Sequence, residues 1–198
     1  MSLYLTHRPS SFAEVIGNSQ VVESLQTLLS KKNPPHAYLL IGPTGCGKTT
    51  VGRIIADTLG CRGSDYREVD SAEMRGIDTI RDIKKQATFQ ALEGSCRVWL
   101  IDECHKMTND AQNALLKLLE DTPDHVYIIL ATTDPQKLIP TIKGRCSTFS
   151  MTPLKDKEMH KLLRKVVSSE SDKLEIEVYN QIIQDSLGHP RNALQILE

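Results

Sequence analysis

The sequence predicts an α/β fold: a parallel, doubly wound sheet flanked by helices, followed by a small three-helix domain. Three observations predict it. Up to residue 152, short apolar runs bounded by turn residues alternate with segments of helical period. One of those runs leads into a glycine-rich loop that opens a helix. After Thr152-Pro153 only helix-period segments remain.

Residues 18–31 carry Val21, Val22, Leu25, Leu28 and Leu29 at helical spacing, with Asn18 as N-cap and Asn33-Pro34-Pro35 as terminator. His36 to Ile41 is the first buried strand, bounded by Gly42-Pro43. A helix from Lys48 to Leu59 follows, with Gly60 after it. A short strand is expected over residues 67–70 and a helix over 77–92. Val98 to Ile101 reads as the second buried strand. Thr108 opens a helix carrying Ala111, Leu115, Leu118 and Leu119; Val126 to Ala131 is the third buried strand, and Thr148 to Ser150 a short last one. The first domain is thus placed at residues 1–152. Residues 153–198 form the helical domain, with Leu154, Met159, Leu162, Leu163 and Val166 in one stripe. Leu174, Val178, Ile182 and Ile183 form a second stripe ending at Gly188, and Pro190 opens the third helix.

Composition narrows the class. The chain has 198 residues, 39% apolar and 25% charged, as soluble globular proteins do. A net charge of −1 leaves no global basic field, so any nucleic-acid contact would be local. No apolar run approaches the ~20 residues of a membrane span, and no signal pattern opens the chain. Cys46, Cys61, Cys96, Cys104 and Cys146 are odd in number and never spaced Cys-x-x-Cys. That points to a reducing cytosol, without structural zinc or a disulfide frame.

The chemistry is concentrated in two places. Gly42-Pro43-Thr44-Gly45-Cys46-Gly47-Lys48-Thr49, followed by Thr50, fits G-x-x-x-x-G-K-[ST] between a strand and a helix. Such a loop points backbone N–H groups at phosphates, the helix adds its positive end, Lys48 reaches the β/γ-phosphates, and Thr49 ligates Mg²⁺. A chance glycine turn would not need that strand–loop–helix context. Secondly, a hydrophobic strand delivers Asp102-Glu103 at its C-terminal end, where open parallel sheets bind ligands. Asp102 is the second candidate for the Mg²⁺, and Glu103 for polarising the attacking water. Asp-Glu alone is a common surface turn; downstream of a complete phosphate loop it reads as a site. Cys104 and His105 lack partners at metal-ligand spacing and read as structural or positioning residues.

Together these residues resemble the AAA+ superfamily of P-loop NTPases, and the chain from Leu5 to Leu197 is similar to clamp-loader subunits within it. Arg8-Pro9-Ser10-Ser11-Phe12-Ala13-Glu14-Val15-Ile16-Gly17 resembles the family segment whose Val15, Ile16 and Gly17 positions line the adenine pocket, with Arg8 at its start. His36 to Leu40 and Leu130 to Leu138 look like the bacterial DNA polymerase III gamma/tau type. Arg75 to Arg81 looks like the replication factor C small subunits. The resemblance implies ATP as ligand and three further roles. Thr133 would be sensor 1, near the γ-phosphate and attacking water. Arg145 would be an arginine finger acting in trans on a neighbouring subunit. Arg191 would be sensor 2, a lid arginine reaching the γ-phosphate in cis. Read without the resemblance, both arginines are surface residues and Thr133 a strand-end turn.

The departures also matter. Gamma/tau subunits carry a four-cysteine zinc module after the phosphate-loop helix; here only Cys61 stands there, so zinc is not expected. Gly144 replaces the usual serine before Arg145. The collar domain that assembles the family's ring is absent, which suggests a fragment of a longer protein.

The function expected is an ATPase subunit that loads a sliding clamp onto primer-template DNA, probed by whether hydrolysis needs oligomerisation, clamp and primed DNA. Partners would be other loader subunits in a ring, the clamp, and DNA backbone touched by Arg75, Arg81, Lys84 and Lys85, with a merely solvated helix face as the alternative. The location would be the cytoplasm of a bacterial or phage-infected cell. Two other readings stand beside it: a different AAA+ repair or recombination ATPase, and a non-catalytic scaffold subunit, whose phosphate loop is usually damaged. A helicase reading of Asp102 to His105 lacks a second motor domain.

Overall fold

A computed structural model describes residues 2–171 and 173–198. Five parallel strands, β1 (Ala37–Ile41), β2 (Tyr66–Asp70), β3 (Arg97–Asp102), β4 (Val126–Thr132) and β5 (Ser147–Ser150), form one sheet in the order β2-β3-β4-β1-β5. Helices α1 (Leu3–Thr6), α2 (Ser19–Leu29), α3 (Lys48–Thr58), α4 (Ile77–Ala87), α5 (Asn109–Glu120) and α6 (Pro140–Arg145) precede or connect the strands; α7 (Asp156–Ser169), α8 (Ile176–Ser186) and α9 (Pro190–Leu197) follow them. Among the described residues no helix is long and apolar enough to cross a membrane.

The central strands are apolar throughout because both faces are covered. Tyr38, Leu40, Val98, Leu100, Ile129 and Ala131 face α2 and α3 in one core. Their alternates Leu39, Trp99, Ile101, Ile128 and Leu130 face α4 and α5 in another. The strict alternation is the two-residue period of a strand written into two separate cores. A third cluster joins Leu154, Met159, Leu163, Val166, Ile182 and Leu194 of the C-terminal helices, with Leu3, Tyr4 and Ile16 packed against it. The extreme N-terminus therefore rests on the helices at the other end of the chain.

Several boundaries differ from the sequence reading. The helix expected to reach residue 92 stops at Ala87, leaving Phe89 and Leu92 exposed. The last turn tightens, Thr88 and Phe89 donating to the carbonyls of Lys85 and Gln86 three residues back, and further on the buried carboxylate of Asp65 accepts the backbone N–H groups of Leu92, Glu93 and Gly94. Those amides cannot also continue a helix. Asn18 does stand at the N-cap of α2, but its backbone is left-handed and its side chain does not cap. The amide instead clasps Thr152, donating to its carbonyl (3.0 Å) and accepting its N–H (2.8 Å). Val178, placed in the α8 stripe, is exposed, and Tyr179 takes the buried position. Helix α1 and α6 were not anticipated, both being too short for periodicity to register. Thr108 caps α5 as expected, its hydroxyl accepting the Ala111 N–H.

Asp65 also faces the buried Arg97 (3.5 Å). Burial alone would push its carboxyl up; the three amide bonds and the Arg97 charge outweigh that and hold it below the ordinary range. Asp65→Ala is expected to destabilise the fold by about 3 kcal/mol, because three amides lose their acceptor and a buried guanidinium its counter-charge. The same contribution is fully present in the wild type above the unfolded-state value of about 4. It is lost as pH falls through the depressed folded value. Urea unfolding at pH 7 and at acid pH checks this: equal stability of the two chains at pH 7 would refute it.

Candidate functional site

The phosphate loop leaves the C-terminal end of β1, where Gly42 donates its N–H to the Thr132 carbonyl of the adjacent β4. Gly45 and Gly47 take left-handed backbone angles (φ +77° and +99°), which wrap the loop around a concave face. A side chain at Gly45 would also crowd the Cβ of Arg191 at 3.3 Å, since the start of α9 sits directly over the loop. Lys48, 5% exposed, folds back so that its ammonium donates to the carbonyls of Gly42 (2.8 Å) and Pro43 (3.0 Å). Burial pushes the neighbouring Cys46 thiol up, against the pull of Lys48.

Thr49, one residue into α3, donates its hydroxyl to Asp102 Oδ2 at 2.6 Å. Residues 53 apart in sequence thus present two oxygens to one point. Asp102 Oδ1 accepts the N–H of Glu103 (2.8 Å). Glu103 itself is left-handed (φ 48°), a conformation costing a non-glycine residue about 1–2 kcal/mol and found where function over-determines the backbone. Its Oε2 accepts the Thr133 hydroxyl (3.0 Å) and faces His105 Nδ1 (3.2 Å). The Asp-Glu end of β3 and the Thr-Thr end of β4 are brought together because these strands are neighbours in the sheet.

A cleft joins these groups. Its walls include Gly45, Cys46, Gly47, Lys48, Thr49, Thr50, Asp102 and Glu103, together with Arg8, Val15, Ile16 and Arg191. Gly17 does not line it. That glycine has φ +76° and packs on the segment that enters α7, where a Cβ would meet Leu154 Cδ2 at 2.3 Å. Gly42 and Pro43 contribute carbonyls to Lys48 rather than wall. Burial and the nearby Arg53 and Arg191 charges hold the Arg8 pKa below its usual value. The guanidinium of Arg191 lies over the Tyr4 ring, 5.7 Å from its centroid. Tyr4 and His7 also line the cleft; the sequence carried no signal for them, since one helical turn has no readable period.

Thr133 does not line the cleft and meets it through Glu103, and Arg145 and the α4 candidates also lie outside it. Arg145, at the end of α6, pairs with the Glu120 carboxylate and donates to the Thr141 carbonyl. On α4, Arg81 pairs with Asp78 and Lys85 with Asp82, and Arg75, just ahead of the helix, donates to the Ala72 carbonyl. Lys84 is exposed. The α4 face therefore carries both signs of charge.

The oxygens of Thr49 and Asp102 suit a hard cation that keeps most of its waters, which is how magnesium binds beside phosphates. Among the described residues no group of three or more His, Cys, Asp or Glu side chains could hold a metal ion.

Comparison with known proteins gives consistent relatives. Residues 63–155 match the family model described as DNA polymerase III, delta subunit. The chain is 35% identical, over its full length, to the DNA polymerase III subunit gamma/tau of Mycobacterium tuberculosis, covering 38% of that protein. It is 34% identical to the subunit tau of Bacillus subtilis (100% of this chain, 39% of that protein). Against Escherichia coli subunit tau the identity is 32% (96% and 33%). The chain thus spans between a third and two-fifths of the length of these relatives. Among solved structures, the Thermotoga maritima RuvB Holliday junction branch migration motor superposes with a TM-score of 0.78 at 25% identity, covering 95% of this chain and 63% of that one. Another structure of that protein gives 0.81 at 22% identity (96% and 64%). These structural likenesses establish the fold, a parallel sheet of the AAA+ P-loop class.

Proposed function

We propose that this chain, similar along its length to DNA polymerase III gamma/tau subunits, is of the clamp-loader AAA+ type and serves as an ATP-hydrolysing motor subunit of a sliding-clamp loader. The observation that carries the reading is the 2.6 Å contact of Thr49 with Asp102 beside the buried Lys48. A phosphate loop, a magnesium ligand pair and a carboxylate base converge there. The loop amides and Lys48 would grip the phosphates of ATP. Thr49 and Asp102 would hold Mg²⁺, which when bound neutralises charge on the phosphates. Glu103, held by Thr133, would take the proton from the attacking water. Residues 153–198 would act as a lid carrying Arg191 over the loop, as the approach of its N–H to the Gly45 carbonyl (3.5 Å) supports.

Arg145 would serve a neighbouring subunit, and ATP binding would build a ring that opens the clamp and sets it on primer-template DNA in the bacterial cytoplasm. Backbone phosphates would meet Arg75, Arg81, Lys84 and Lys85. Since Arg81 and Lys85 are already paired, Arg75 and Lys84 would contribute most. An intact set of Lys48, Thr49, Asp102 and Glu103 argues against a non-catalytic scaffold. The gamma/tau likeness, at 32–35% identity, weighs more than the branch-migration likeness at 22–25%.

The direct test is retention of labelled ATP with magnesium by the purified chain and by Lys48→Ala. Binding should weaken at least about tenfold in the variant, since a charge-assisted contact to phosphate worth about 1.5–3 kcal/mol disappears. A wild-type chain that retains no adenine nucleotide would end the proposal.

A further inference from the structure

His105 stands two residues beyond Glu103, with its side chain almost fully buried, and no role in the scheme above falls to it. Its Nδ1 lies 3.2 Å from Glu103 Oε2 and 3.0 Å from the Thr132 hydroxyl oxygen. That hydroxyl oxygen already accepts the N–H of Asp134 (3.0 Å). An unprotonated Nδ1 would set its lone pair against the carboxylate oxygen, a repulsive contact. Carrying the hydrogen, Nδ1 donates to the Thr132 hydroxyl oxygen and sets its partial positive charge beside the carboxylate. The local geometry therefore selects the Nδ1–H form.

We infer that His105 is a positioning residue for the hydrolytic carboxylate: with Thr133 it pins Glu103 Oε2 and leaves Oε1 facing the water to be activated. The Thr133 hydrogen bond and the His105 contact meet at the same oxygen. Among the described residues Oε1 has no partner, so it is the atom left to accept a proton. Glu103 needs two anchors because it follows a strand end in a left-handed conformation, where its carboxylate could otherwise swing onto the loop. Thr132, on β4, fixes the imidazole in turn. The pair of threonines at 132 and 133 thus acts at two removes: one on the base directly, the other through His105.

This inference rests on the ATPase reading. It is tested in the assembled full-length protein with His105→Leu, which fills the space without a donor, and His105→Asn, which restores an N–H near the Nδ1 position. Steady-state ATPase, nucleotide titration and the double variant with Glu103→Gln are measured together. His105→Leu should lower kcat about tenfold to hundredfold, the scale of a misplaced catalytic group, with KM and nucleotide affinity within about twofold. His105→Asn should recover most of the loss. In the Glu103→Gln background, His105→Leu should have no further effect, because an acceptor that no longer takes a proton gains nothing from orientation. Full activity of His105→Leu, or an equal additional loss in the Glu103→Gln background, would overturn the role while leaving the ATPase reading intact. A wild-type assembly that hydrolyses no ATP would remove that reading, and this inference with it.

Discussion

Glu103→Gln in the assembled protein is expected to hold ATP without turning it over: hydrolysis falls by about 10²–10⁴, while nucleotide affinity stays within a few-fold. The amide keeps the shape of the carboxylate and still accepts the Thr133 hydroxyl, so the 3.0 Å contact and the left-handed backbone survive. What disappears is the capacity to take a proton. Lys48, Thr49 and Asp102, which would grip the nucleotide and its metal, are untouched, and that separates this variant from Lys48→Ala, where binding itself weakens. Single-turnover hydrolysis beside a fluorescent-nucleotide titration distinguishes the two. Turnover near the wild-type rate in Glu103→Gln would mean that another group activates the water, and the chemistry assigned to the end of β3 would be wrong.

The parts of this molecule that were legible in the sequence are those whose physics is local. Strands β1, β3 and β4 are covered on both faces, so each must be a continuous apolar run, and each announces itself. The phosphate loop is legible because glycine and lysine at fixed spacing serve one ligand geometry. The misread parts depend on partners distant in the chain. Helix α4 does not run on to residue 92, where Asp65, 27 residues earlier in the chain, claims the amide. Asn18 leaves its helix uncapped because Thr152 is its partner. Gly17 looked like pocket wall, yet its missing side chain makes room for Leu154. The pairing of Thr49 with Asp102 was inferred from type and order rather than from any local pattern, and the sheet order, with β1 next to β4 and β4 next to β3, is what brings such residues within reach.

Arg145→Ala gives the largest expected effect, about 10³–10⁵ in the turnover of an assembly in which copies adjoin, with ATP binding by each chain preserved. Arg145 ends α6 and does not line the cleft of its own chain; its guanidinium rests on Glu120 and on the Thr141 carbonyl. A cation outside its own site can stabilise a transition state only in a neighbour's. The Glu120 pairing does not prevent this, because an exposed ion pair is worth about 0–1 kcal/mol, less than a desolvated contact with a phosphate. Glu120→Ala should accordingly change turnover by no more than about fivefold. Mixing supplies the decisive comparison. Lys48→Ala chains have a finger but a damaged loop, and Arg145→Ala chains have a loop but no finger. Each alone should be nearly silent, whereas mixed assemblies should regain hydrolysis at every junction that sets an intact loop against an intact arginine. If mixing restores nothing although the chains co-assemble, Arg145 does not act across subunits, and the trans mechanism fails even if the cleft binds ATP as proposed.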